Sequence, residues 1–417
     1  MIRRTLRLGL AVVLAASMLL GAAPAANAQL SDTPDDTWMT NGQVYAIAQS
    51  GGTIYIGGKF SSVRACPPGQ SCGPGSVVNV LNLAALDAAS GDAIPSFRPE
   101  IGAPGEAAFV YGAAVASGKL WVAGKFSQAD GQPRLNLAAY DLATGALVPE
   151  VDHQIGTDIS DRIRGIYALC DRVYVAGYFT TVDGLPRKHL AAFNLDGTLN
   201  SQWKPRTAGL ARTLTQTCDG LSIIAGGSFR KASGSTGANV DRATLAIFDA
   251  TTGALDPWTP DNAAIPNGVN AFDLDASCDR LFVGYGGSNA LYGFDLSDDF
   301  GEVLFDVKTG GNVQTVDLSV DGTRVYFGGH FANVSVKCPG VSRNENDSRT
   351  RFAVADIDGC VREPGSPDPL DGWTPTFSGK FYGPWDIFST GNQVYVGGQF
   401  TDVSGQAQFM IARFTDA

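Results

Sequence analysis

Few residues in this 417-residue chain are of a type that does chemistry, and they are scattered: three histidines, seven cysteines and one G-x-S-x-G pentapeptide, "GQSCG" at 69–73. That spelling can mark a hydrolase nucleophile, which needs its serine on a sharp turn between a strand and a helix. Here it sits in a Pro- and Gly-rich stretch, "ACPPGQSCGPG" (65–75), and includes a cysteine with a near neighbour, so it reads as a loop. Metal binding needs ligands that converge. His153, His189 and His330 fall at three different positions of the repeat described below, and neither a metal nor another cofactor is implied. "FDLDASCD" (272–279) has closely spaced carboxylates but not the order of a calcium loop, and its acids read as turn formers.

The cysteines fit disulfides better than catalysis. Cys66 and Cys72 flank five residues and are expected to be bridged. Cys338 and Cys360 bracket a second insertion and are expected to form another pair. Cys170, Cys218 and Cys278 precede the same turn in three consecutive units, so two of them can pair across neighbouring units and leave one free.

The elements that position these residues are repeats. "IYIGGKF" (54–60), "LWVAGKF" (120–126), "VYVAGYF" (173–179), "IIAGGSF" (223–229), "VYFGGHF" (325–331) and "VYVGGQF" (394–400) are six copies of one phrase, and "LFVGYGG" (281–287) is a worn seventh. A short apolar-alternating run precedes each copy. After the phrase come a turn, a third run such as "NLAALD", and in several units a tail ending W-x-P. Four β-like runs per unit, bounded by Gly, Asp and Asn, predict a four-stranded antiparallel meander, and a period near 50 predicts radial stacking of such sheets. The expectation is an all-β, seven-bladed β-propeller, with the double glycine admitting a neighbouring strand and the closing Phe filling the gap. The last unit stops after its third run, so residues 32–40 are expected to supply its outer strand beside 408–415 and close the ring.

The stretch "VYVGGQFTDVSGQAQFMIARF" (394–414) resembles the delta-60 repeat family of secreted bacterial β-propellers and, more distantly, the kelch-like propeller of fungal cortical-marker proteins. The resemblance covers 38–417 and implies the fold but no activity and no catalytic residue. The dipeptide Trp385-Asp386 lacks the partner residues of WD40 repeats and reads as coincidence.

One column varies while the rest repeats. The residue after the opening apolar position of each first run is Tyr45, Tyr111, Arg164, Arg212, Asn270, Gln314 or Gly383. Inner strands of a propeller place some side chains at a mouth of the central channel, so these residues are expected to bind a ligand there, the two arginines meeting an anion. The expected function is a non-catalytic binding or protein-interaction module for an extracellular protein or glycan. The alternative is an extracellular carbohydrate-active lyase or hydrolase at the same mouth. The acidic balance, a formal −11, disfavours nucleic acid as a partner. A monomer is expected.

Residues 1–28 read as an export signal: Arg3, Arg4 and Arg7 precede the apolar run "LGLAVVLAASMLLG", and "ANA" (26–28) is a small-residue cleavage site. Residues 29–417 then form one domain, secreted or periplasmic. N-terminal sequencing of the exported protein should begin at Gln29; an exported chain that retains Arg3 overturns the reading.

Overall fold

The structure, a computed structural model, describes residues 30–169, 171–261, 265–338, 341–357 and 372–416. The leader, Cys170 and Cys360 lie outside these residues, and so does the expected Cys338–Cys360 pair. No helix occurs among the described residues, and none is long and apolar enough to cross a membrane.

Each copy of the repeated phrase is the middle strand of an antiparallel sheet. Thr53–Lys59 pairs with Gln43–Ser50 on one side and Leu83–Asp87 on the other. The same order recurs around Lys119–Lys125, Arg172–Gly177, Ser222–Gly227, Arg280–Gly286, Arg324–Gly329 and Gln393–Gln399. The middle strands are buried on both faces, which is why their sequences are near-continuous apolar runs. The expected fourth run is mostly shorter than a strand. In four units it touches the sheet through one bridge, as in Leu86–Ala93 and Tyr140–Leu147. In the unit around Arg280–Gly286 it is a full strand, Val303–Thr309. The second insertion adds Asn333–Cys338 and Val341–Ser348 to that sheet's outer edge.

The first strands contact one another in chain order, and Gly383–Ser389 touches Gln43–Ser50. The double glycine explains the spacing. A Cβ on Gly57 would stand 2.4 Å from Val110 Cγ1 of the next first strand, and one on Gly397 would stand 2.7 Å from Val44 Cγ1. The second glycine faces its own sheet, where a Cβ on Gly58 would meet the Gln43 carbonyl at 2.0 Å. Phe60, Phe126, Phe179, Phe229, Phe331 and Phe400 are all buried. Each contributes roughly 1.5–3 kcal/mol by leaving water. The W-x-P tryptophans latch neighbouring sheets: Trp203 Nε1 donates to the Asp249 carbonyl and Trp258 Nε1 to that of Asp295. Cys218 and Cys278 lie at disulfide distance across one such boundary, with 4.8 Å between Cα atoms. Cys66 and Cys72 do so within the first insertion, at 5.9 Å.

The two chain ends meet. Leu30 bridges Asp416, Asp35 N donates to the Arg413 carbonyl at 2.8 Å, and Thr40 N to that of Phe409. This segment beside Ile411–Thr415 is a loosely bonded rail rather than a full ladder. Arg413, 7% exposed, fastens it: Nε lies 3.2 Å from Asp35 Oδ2, Nη1 donates to the carbonyls of Ala88 and Ala89, and Nη2 to that of Asp36. Charge-assisted bonds of this kind are worth about 1.5–3 kcal/mol each, only partly additively. Arg413→Ala should lower the unfolding free energy by about 3 kcal/mol in urea titration; a loss below about 1 kcal/mol would show that the ring closes without it.

Candidate functional site

The first strand of every unit slips register by one residue against its middle strand, and the skipped residue sits at one position in all seven. The slips fall between Val44 and Ala46, Val110 and Gly112, Ile163 and Gly165, Ala211 and Thr213, Ala271 and Asp273, Val313 and Thr315, and Pro384 and Asp386. A bulge sets two residues against one and re-aims the extra side chain. The skipped residues are Tyr45, Tyr111, Arg164, Arg212, Phe272, Gln314 and Trp385, and all seven line one cavity of about 180 Å³ where the first strands meet.

Five of the column residues read from sequence are therefore together: Tyr45, Tyr111, Arg164, Arg212 and Gln314. Asn270 is not among the lining residues; it pairs with Gly286 two positions before the bulge. Gly383 likewise precedes the bulge, pairing with Gln399. In these two units the residue opening the column is the small Ala271 or Pro384, so alignment on a large apolar residue slipped by two. Phe272 and Trp385 hold those places. Gly286 makes room for Phe272, because a Cβ there would meet the phenyl ring at 1.9 Å. The Trp385-Asp386 pair, read as coincidence, contributes both residues to the cavity.

The ring has an aromatic arc and a cationic arc. Trp385, Tyr45 and Tyr111 are consecutive, with Tyr45 at 5.6 Å from Trp385 and 5.4 Å from Tyr111 between ring centres. Exposed Tyr382 packs 5.3 Å from Trp385, and exposed Phe381 stacks on His330 at 3.9 Å. Arg164 and Arg212 follow. The Arg164 guanidinium lies 4.0 Å from the centre of the Tyr111 ring, and that of Arg212 lies 4.2 Å from the Phe272 ring. Burial makes both less basic than a free arginine, and Arg212, with the Arg164 charge beside it, is pulled down to about 9. At that value Arg212 remains cationic at neutral pH. Gln314, with its amide oriented to satisfy both acceptors, donates to the carbonyls of Tyr382 and Pro384.

Below the bulges lie aspartates that sequence reasoning took for turn residues or passed over. Asp273 and Asp386 line the cavity, while Asp275 and Asp317 stand two or three residues further along their first strands. They are strand residues because each stitches its strand to a neighbour. Asp273 accepts Thr213 Oγ1–H at 2.9 Å and Val316 N–H at 3.0 Å. Asp275 accepts from Thr215 Oγ1 and Leu318 N, Asp317 from Ser389 N, and Asp386 from Ile47 N at 2.6 Å. Burial pushes all four carboxyls up, Asp273 to about 6. The Asp273 charge lifts Asp386 further, and the Asp275 charge lifts Asp317.

The remaining chemical candidates are elsewhere. His153 bonds Asp183 Oδ2 and the Gly197 carbonyl, and His189 the Gly177 carbonyl. Ser71 lies inside the Cys66–Cys72 loop. Among the described residues no group of three or more His, Cys, Asp or Glu is arranged to hold a metal ion. Both insertions leave middle strands at the end where the first strands begin, since Lys59 pairs with Gln43 and Gly329 with Val313. They therefore depart from the rim that carries the bulges.

A family model described as a domain of unknown function (DUF5122) β-propeller matches residues 171–202. That stretch covers the middle strand Arg172–Gly177 and the third strand Leu190–Asn194 of one sheet, and the match supports a β-propeller repeat in this all-β chain. No curated protein matches the chain.

The buried carboxyls set a pH dependence. An acid whose pKa is higher folded than unfolded binds more protons in the folded state, so stability falls as pH rises through the interval between the two values. For Asp273 that interval runs from 3.8 to about 6. The turn acids Asp87, Asp141 and Asp249 are shifted down by backbone and hydroxyl donors, so their stabilisation is complete above 3.8 and is lost as pH falls below it. Stability should therefore peak near pH 4 and decline as pH rises to about 6 in urea titrations. Asp386→Asn, which keeps an acceptor for Ile47 N, should flatten that decline by up to about 1.4 kcal/mol per pH unit. An unchanged slope would place the ionisation elsewhere.

Proposed function

We infer that this chain is an exported, seven-bladed β-propeller of four-stranded blades, of the delta-60 repeat kind with a kelch-like relative, acting as a non-catalytic binding module. The observation that carries this reading is the ring of bulged residues. A bulge in every inner strand, at one level, turns seven side chains of varied chemistry into one cavity while the surrounding phrase stays uniform. Repetition serves the architecture and variation serves the mouth. Export is supported by two cysteine pairs at disulfide distance, since disulfides persist in oxidising compartments. Aromatic faces beside hydrogen-bonding groups suit a glycan or an extended protein segment.

A second reading, a lyase or hydrolase, draws on Asp273 and Asp386, two carboxyls with raised pKa in one cavity. Their bonds favour the binding module: both Asp273 oxygens and one of Asp386 are engaged by neighbouring strands. Incubation with a panel of neutral and acidic glycans separates the two. A binding module retains glycans on an array, loses them by about tenfold or more in Trp385→Ala, and releases no products. Release of new reducing ends or unsaturated sugars, abolished by Asp386→Asn, overturns it.

A further inference from the structure

Arg164 and Arg212 are at odds with how this chain treats its other deeply set arginines. Arg187, Arg242 and Arg413 spend their donors on backbone carbonyls. Arg164 and Arg212 make no hydrogen bond or ion pair with any described residue; each has only its ring contact. An arginine carries five N–H donors in a fixed fork. A ring beneath the guanidinium plane satisfies none of them. Two such forks stand side by side on adjacent first strands, both half-buried at the cavity, and the Arg164 charge weakens Arg212. The nearby carboxylate of Asp273 attracts Arg212, with no hydrogen bond between them. Like charges set side by side repel one another until a counter-charge arrives, and these two face a cavity that can admit one.

The rest of the ring narrows the ligand. Opposite the guanidinium edges lies the aromatic arc, with partly exposed Tyr45 and Trp385 and the open face of Tyr382. A bound species meets apolar ring faces on one side and two cationic forks on the other. The floor holds carboxyl groups, Asp273 and Asp386, which take up ligand hydroxyls but repel a second negative charge. A single negative charge, several hydroxyls and an apolar ring face together describe a sugar acid.

We propose that the cavity binds the carboxylate of a hexuronate residue in an acidic glycan, held between Arg164 and Arg212 with its ring against Tyr45 and Trp385. This rests on the mouth being a binding site, as inferred above. The test is calorimetric titration of the exported protein with tetragalacturonate and glucuronate, against a neutral hexose tetramer, galactose and glucose 6-phosphate. Uronates should bind at least about tenfold more tightly than neutral sugars, and more weakly as salt is added. Arg212→Gln and Arg164→Gln should each weaken uronate binding by about 10- to 100-fold. They should melt no lower than the unaltered protein, because neither guanidinium hydrogen-bonds a described residue and each substitution relieves the repulsion between two adjacent cations. Neutral sugars binding as tightly, glucose 6-phosphate binding more tightly, or uronate affinity unchanged in both folded variants would each overturn the proposal. If neutral glycans bind in a manner dependent on Trp385 but not on Arg212, the uronate assignment falls and the mouth reading stands. If no glycan binding depends on Trp385, both fall.

Discussion

An inner strand at the centre of a ring of sheets has one edge with no strand to pair with, and an unpaired N–H buried there costs as much as a lost hydrogen bond. This molecule answers the constraint in two ways. Along one arc the strands come close enough to leave no gap: Gly112 and Gly165 carry no side chain where a Cβ would strike Ile166 or the Arg212 carbonyl. Along the other arc a side chain reaches across. Thr213 bonds Asp273, Asp273 bonds Val316 N, Thr315 accepts Ile387 N, and Asp386 accepts Ile47 N. The carboxyls at the centre follow from that need, and the cavity lies above them because the bulges lift the next side chains out of the stitched layer.

The parts of the fold legible in the sequence are those where one physical demand recurs. Close approach demands a small residue, so Gly57, Gly226, Gly328 and Gly397 announce themselves, and the buried Phe that follows marks the gap each sheet must fill. The candidate site was legible only in part. Alternation along a first strand tells which residues face a neighbour, but a bulge breaks that alternation, and nothing in "VNAFDLDA" or "YGPWDIFS" marks where. Phe272 and Trp385 were missed for that reason. Asp273 and Asp275 were taken for turn formers because aspartate is rare in strands. The edge that needs their oxygens belongs to another unit, about forty residues along the chain, and no local pattern reveals it.

Charge is distributed along the axis of the ring. Five third strands end in acids, and Asp87, Asp141, Asp249, Asp295 and Asp356 pair with Thr53, Lys119, Ser222, Arg280 and Arg324 at the starts of middle strands. Those positions lie at the end of each sheet away from the bulges. There the acids order tight turns by accepting backbone N–H groups, as Asp87 does from Ala89 and Ser90. The opposite rim carries Lys59 over Phe109, Arg162 over Tyr178 and the two guanidiniums of the cavity. A chain of net charge −11 thus presents cations and aromatic rings together at one rim. At physiological ionic strength the Debye length is about 8 Å, so a ligand at that rim meets the local field and little of the distant acids.

The rail of residues 30–40 has a temporal meaning as well as a spatial one. Its partners, Phe409, Arg413 and Asp416, stand roughly 370 to 390 residues further along the chain and are synthesised well after it. Until they arrive, Leu30 and Asp35 have nothing to bond, and the sheet around Gln393–Gln399 lacks its outer cover. Contacts between the ends of a chain carry the greatest loop-closure entropy, so they form late. The contact between the rail and Ile411–Thr415 therefore depends more than any other on the sheets between them being in place. Trimming residues 30–39 removes that contact together with the bonds that Ser31, Asp32 and Trp38 make to Trp373, Thr374 and Asp92.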